Sequence, residues 1–149
     1  MADRELAQAA RAIALAARNL ERAASTRDLT LAQYRVLAQV AAGDERSSLL
    51  AERLAVAKPT ITAVVDGLVE RGYIERSSVD GDRRSIRIAV TKAGRQALRA
   101  AEVEMTESLD AILEHVGDRD AVLRALADLD DAMRVRMETR LKAAKEVRA

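Results

Sequence analysis

Apolar residues recur along this chain with the two periods that separate helices from strands. From about Asp3 to Ala24, Leu6, Ile13 and Leu20 fall seven residues apart, with Ala9/Ala10, Ala16/Ala17 and Ala23/Ala24 filling the neighbouring positions. That pattern predicts an amphipathic helix with a thin seam, suited to packing on another helix within or between subunits. A second helix is predicted from Leu31 to Ala42, with Val36, Leu37 and Val40 on its apolar side. Its start carries two signals: Thr30 and Gln33 have the spacing of a capping box, and Leu29 and Tyr34 that of a hydrophobic staple. Gly43-Asp44-Glu45-Arg46 breaks it, and Ser48 is placed to cap a short helix from Leu49 to about Ala55.

Pro59 then stands where a first helical turn tolerates proline, and Ile61, Val64, Val65, Leu68 and Val69 follow at i, i+3, i+4, i+7 and i+8. This stripe predicts the buried face of a third helix, with Thr60, Thr62, Ala63, Asp66 and Gly67 on the other face and Gly72 as a left-handed C-cap. After Gly72 the period changes to two. Tyr73 to Arg76 reads as a strand, Asp80-Gly81-Asp82 as a turn, and Ile86, Ile88 and Val90 as the apolar side of a second strand. Thr91 caps a long helix running from Lys92 to about Val116. Gly117 stops it, and Asp118 caps a last helix in which Val122, Leu126, Leu129, Met133, Met137 and Leu141 are spaced by three or four.

The predicted fold is therefore mainly α with a small β-hairpin wing (α+β). A winged helix-turn-helix lobe over residues 30–95 sits within a scaffold of terminal helices, 1–28 and 96–149, in a single domain of 149 residues.

Composition narrows the chemistry. The chain has 25 Lys+Arg against 24 Asp+Glu, one histidine and no cysteine. Thiolate catalysis, disulfides, zinc fingers and histidine-rich metal sites are thereby excluded, and no cofactor is implied. No nucleophile and base stand at a recognisable spacing and no glycine-rich phosphate loop occurs, so an enzyme is not expected. No apolar run approaches the roughly 18 residues of a membrane span, and the N-terminal stretch is too acidic and interrupted for a secretory signal; a cytoplasmic protein with no membrane partner is the expectation. His115, near a helix C-terminus, is explained as well by the helix dipole as by a ligand role.

The near-neutral total hides a local asymmetry. Residues 27–95 hold twelve Lys+Arg and nine Asp+Glu, and residues 83–95 hold Arg83, Arg84, Arg87, Lys92 and Arg95 without an acid. A DNA phosphate backbone is the simplest partner for such a hairpin, although an arginine-rich tip alone is also a common solvated turn.

Several short strings then occur in a specific order: Leu29-Thr30 with Gln33 and Leu37, Leu50-Ala51-Glu52-Arg53-Leu54, Lys58-Pro59-Thr60-Ile61-Thr62, Val65-Asp66-Gly67-Leu68-Val69, Arg71-Gly72-Tyr73-Ile74, Asp82-Arg83-Arg84 and Val90-Thr91-Lys92-Ala93-Gly94-Arg95. Together they resemble the MarR family of bacterial transcription regulators, over roughly residues 29–95. The resemblance implies a homodimer with interlocking terminal helices and two winged helix-turn-helix lobes on a palindromic double-stranded DNA operator. In many members a small ligand releases the DNA. It would place Lys58, Pro59, Thr60, Ile61, Thr62 and Ala63 in the major groove, whereas the apolar stripe assigns Ile61 to the core. It would also place the Asp82-Arg83-Arg84 tip in the minor groove, with Arg87 behind it on the wing.

Three positions depart from the family pattern: Ala57 stands where a capping Ser is common, and Ala63 and Gly67 where Arg is common. Base reading should then rest on hydroxyls and methyls, with the wing supplying more of the affinity. Asp66, an acid on a DNA-facing helix, either turns to water or pairs with a wing arginine, for which Arg83 or Arg84 is favoured. Without thiols or a histidine cluster, control is expected from an apolar or aromatic acid rather than from oxidation or metal. The ligand site is left unassigned: a cleft near Arg11 or Arg18 could take an acid, and either could equally be a solvated arginine. A non-specific architectural DNA binder and a helical protein-interaction module remain as alternative functions.

Overall fold

A computed structural model describes the backbone of residues 2–43, 50, 58–79 and 82–146. The elements are α1 (Ala2–Ser25), α2 (Leu31–Ala41), α3 (Lys58–Glu70), β1 (Ile74–Val79), β2 (Asp82–Val90), α4 (Lys92–Leu113) and α5 (Arg119–Glu146). The Ser48 cap, the helix expected from Leu49 to Ala55, Ala57 and the Asp80-Gly81 turn lie outside the described residues. Leu50, described by itself, is fully buried.

Local chemistry sets the boundaries. Thr30 Oγ1 accepts from the Gln33 amide at 3.2 Å while Gln33 Oε1 accepts from the Thr30 amide at 3.0 Å, the reciprocal box expected at the start of α2. Leu29 is buried and Tyr34 packs partly buried against the same core. Helix α3 ends in a Schellman turn: Gly72 has φ +68°, its amide bonds Val69 O at 2.9 Å, and the Tyr73 amide bonds Leu68 O at 2.9 Å. The end of α1 repeats that geometry with an aspartate, since Asp28 has φ 58° and the Leu29 amide reaches Ala24 O. Asp118 Oδ1 caps α5 by accepting from the Ala121 amide at 2.9 Å.

The end of α4 departs from expectation. Helix α4 ends at Leu113 rather than near Val116, and Gly117 is not in the left-handed region. After Leu113 the amides of His115 and Val116 bond back only three residues, to Ile112 and Leu113, so the chain tightens out of the α-helix before the glycine.

Helices α2, α3 and α4 and the hairpin enclose one core: Leu29, Val36, Leu37, Val40, Leu50, Ile61, Val65, Leu68, Ile74, Ile88, Val90, Leu98 and Ala101. Helix α1 packs chiefly along α4, and α3 packs on α2 and β1. The large apolar side chains that stay exposed fall elsewhere among the described residues, on α1 (Leu6, Ile13, Leu15), α4 (Val103, Ile112) and α5 (Leu123, Leu126, Leu129, Met133, Val135).

Candidate nucleic-acid interface

Helix α3 presents two different faces. Ile61, Val65 and Leu68 are buried against α2 and the hairpin, so Ile61 belongs to the core as the stripe predicted. Pro59, Thr60, Thr62 and Ala63 are exposed, and they form an outward surface of hydroxyls, methyls and one proline ring. The side chain of Lys58 lies outside the described residues.

The hairpin beside it is antiparallel, with Ile74 opposite Val90, Arg76 opposite Ile88 and Ser77 opposite Arg87. Both strands run further than predicted, to Val79 and from Asp82. Near the tip the register slips: Ser78 pairs with Ile86 and Val79 with Asp82, which sets Arg83, Arg84 and Ser85 in an irregularity of the ladder. The side chains of Arg83 and Arg84 lie outside the described residues. Arg87 is exposed on the strand face opposite to buried Ile88.

Asp66 is bonded to Arg76, a partner not anticipated for it, while the two tip arginines expected there, Arg83 and Arg84, have side chains outside the described residues. The reason is the strand period: Ile74 and Arg76 share the face of β1 that meets α3, so the guanidinium is carried towards Asp66 while Glu75 and Ser77 point away. The pair still joins helix to wing, through the wing's first strand.

Behind the wing, Thr91 ties three elements together. Its hydroxyl accepts from the Gly94 amide at 3.0 Å, capping α4 as predicted, and donates to Gly72 O at 2.6 Å. Its amide bonds Tyr73 O at 3.1 Å. Gly94 is buried so close to this strand that a Cβ would lie 2.1 Å from Tyr73 O. Arg27 Nε bonds Glu104 Oε1 at 2.9 Å, clamping the end of α1 to α4.

A groove of about 680 Å³ opens between α2 and α5, lined by Tyr34, Arg35, Ala38, Gln39, Ala42, Asp130, Met133, Arg134, Met137 and Glu138. Arg11 and Arg18 do not line it. Burial pushes the Tyr34 phenol above its ordinary pKa and the nearby Glu102 carboxylate adds to this, so the group stays a protonated donor at neutral pH. Among the described residues, no helix is long and apolar enough to cross a membrane and no group of three His, Asp or Glu side chains could hold a metal ion.

Residues 27–85, which span α2, α3 and most of the hairpin, match the model of the MarR family. That match covers 59 of the chain's 149 residues. The chain aligns with the HTH-type transcriptional repressor YetL of Bacillus subtilis, at 32% identity over 88 residues, which are 58% of this chain and 53% of YetL. The chain thus spans about half the length of the curated relatives it matches. Over a longer stretch the fold is that of a MarR-family transcriptional regulator from Rhodococcus sp. RHA1, with a TM-score of 0.76 and 21% identity over 89% of this chain and 94% of that one. The repressor CouR, solved on a 23-mer DNA duplex, gives a TM-score of 0.71 and 29% identity over 83% of this chain and 89% of CouR. CouR from Rhodococcus jostii RHA1 has also been solved bound to p-coumaroyl-CoA, and there the TM-score is 0.68 at 23% identity over 83% and 87% of the two chains.

Proposed function

We propose that this chain is a MarR-family, sequence-specific, DNA-binding transcription regulator, a cytoplasmic repressor that binds a palindromic operator as a homodimer. The carrying observation is the two-faced α3: its apolar stripe is locked into the lobe, and its uncharged outer face of Pro59, Thr60, Thr62 and Ala63 stands beside an arginine-tipped hairpin. A helix so mounted enters a major groove, where hydroxyls bond base edges and methyls meet thymine, while arginines of the wing neutralise phosphate. The likeness to CouR, a repressor solved on DNA, supports the same docking. Dimerisation rests on the exposed apolar residues of α1, α4 and α5, the expected scaffold of residues 1–28 and 96–149, which would hold two α3 helices about one DNA turn apart, roughly 34–36 Å.

Selection of duplexes from a random pool, followed by titration, tests the reading. Arg83→Ala and Arg84→Ala should weaken binding to every sequence and flatten the salt dependence. Thr60→Ala and Thr62→Ala should instead lose about 1–3 kcal/mol of discrimination at particular base pairs. Wing variants that bind selected and random DNA as the wild type does would refute the assignment. Binding without any enriched sequence would favour an architectural protein, and no binding at all a helical interaction module.

Release by a small apolar or aromatic acid is the second part of the proposal. The groove between α2 and α5 supports it, because its volume is that of a small-molecule site and its lining mixes methionine, alanine and tyrosine with charged groups. An acid that relieves DNA binding should also raise the melting temperature, while peroxide, thiol reagents and chelators should leave binding unchanged. Reversible loss of binding with a chelator or a thiol oxidant would overturn this part.

A further inference from the structure

The C-terminal end of α3 is tied to the end of α1 by one side chain. Arg71 directly follows α3, and its Nη1 donates to the carbonyl of Asp28, the left-handed residue that closes α1. The same guanidinium lies 4.9 Å from the centre of the Tyr73 ring, and its Nη2 stands 3.5 Å from the Tyr73 hydroxyl. Tyr73 in turn offers its carbonyl to the Thr91 amide and hydroxyl at the head of α4. The main packing partners of α3 are α2 and β1, whereas α1 packs on α4 and α2. Arg71 therefore ties together the ends of two elements whose main packing partners lie elsewhere.

We propose that Arg71 is a positioning residue that fixes the angle of α3 against α1. Resting on the regulator reading above, this makes Arg71 set the separation and tilt of the two reading helices without touching DNA. Arginine suits that role because a planar fork can hold a carbonyl and stack on an aromatic ring at once, and a carbonyl in a left-handed turn is fixed in direction by two backbone hydrogen bonds around it. Lysine keeps the charge but has neither the fork nor the plane.

Two measurements test it. The chain has no cysteine, so Asn19→Cys on α1 and Ala63→Cys on α3 would be the only spin-label sites. Diluted with unlabelled protein, the doubly labelled chain should give one narrow distance, which Arg71→Ala and Arg71→Lys should broaden or shift while circular dichroism remains that of a folded protein. An unchanged distance in both variants overturns the proposal. In the DNA arm, a duplex selected by the wild type should be bound at least about tenfold more weakly by Arg71→Ala, the scale of loss expected when a reading element is held too loosely. Random duplex should be bound equally well, with the same salt dependence. The variant should also suffer less than the wild type from one base pair inserted between half-sites. Equal loss on selected and random duplexes with a flatter salt dependence would make Arg71 a phosphate contact and overturn the proposal. A wild type that enriches no sequence refutes the regulator reading instead, and the distance measurement then decides for or against the joint.

Discussion

Two glycines, both inside helices, should respond to alanine with opposite sign. At Gly94 a Cβ would meet Tyr73 O at 2.1 Å, Tyr73 C at 2.9 Å and Val90 Cγ1 at 2.9 Å, and two of these are backbone atoms that cannot swing aside. Relieving the contact requires a shift of roughly 1 Å or more to reach ordinary van der Waals distance. Such a shift would pull the Tyr73 carbonyl from the Thr91 amide and disturb the Thr91 cap. Overpacking typically costs about 1–3 kcal/mol and each lost hydrogen bond about 1 kcal/mol. The helix preference for alanine returns about 1 kcal/mol, leaving a net loss of about 2–4 kcal/mol. At about 2–4 °C per kcal/mol for a chain of this size, the melting temperature should fall by about 4–16 °C. At Gly67, by contrast, the nearest atom is Gln33 Nε2 at 3.7 Å, an ordinary contact. Gly67→Ala should therefore stabilise by up to about 1 kcal/mol. Thermal and urea unfolding at one fixed protein concentration measure both. A Gly94→Ala protein that melts with the wild type, or a Gly67→Ala protein as damaged as Gly94→Ala, would refute the argument from close approach.

Further outcomes can be checked directly. Sedimentation at micromolar concentration should give twice the 16.2 kDa chain mass, and a folded monomer would sink the dimer and the palindrome together. A double-mutant cycle on Asp66→Ala and Arg76→Ala should return a coupling below about 1 kcal/mol, because both side chains are nearly half exposed; a coupling several times larger would mean the pair is dry. Tyr34 should ionise above the ordinary tyrosine value of 10.0 in a Tyr73→Phe background followed by ultraviolet absorbance. Because the folded state holds that proton more tightly than the unfolded chain, Tyr34's contribution to stability is complete below pH 10 and declines above it. Ionisation at or below the ordinary value would contradict its burial.

What could be read from the sequence was what acts over three or four residues. The Thr30–Gln33 box, the Thr91 and Asp118 caps, the Gly72 turn and the Ile61–Val65–Leu68 stripe are all satisfied within a single helical turn or along one helix face, so spacing alone reveals them. The contacts missed join residues far apart or depend on strand orientation. Asp66 meets Arg76 because β1 turns that face inward, and the signal was available: Arg76 stands two residues from buried Ile74. The close approach of Gly94 to Tyr73 leaves no trace in either neighbourhood, because each segment is ordinary by itself. Asp28 is a left-handed residue where glycine is usual, and Arg71 reaches its carbonyl across 43 positions of sequence. The slip at Val79 and Asp82 is a matter of pairing register, which the alternating pattern constrains only where a face is buried.

The pairing of α1 with α4 also dictates an order of events during synthesis. Arg27 and its partner Glu104 are 77 residues apart, and the segment between them contains the whole lobe. At about 5–20 residues per second, a ribosome takes roughly 4–15 s to traverse that interval. For most of it α1 has been made while the helix it packs on has not. The reading lobe cannot close its core earlier either, because that core takes Leu98 and Ala101 from α4. A newborn chain thus completes its reading head and its mount together, on one and the same helix.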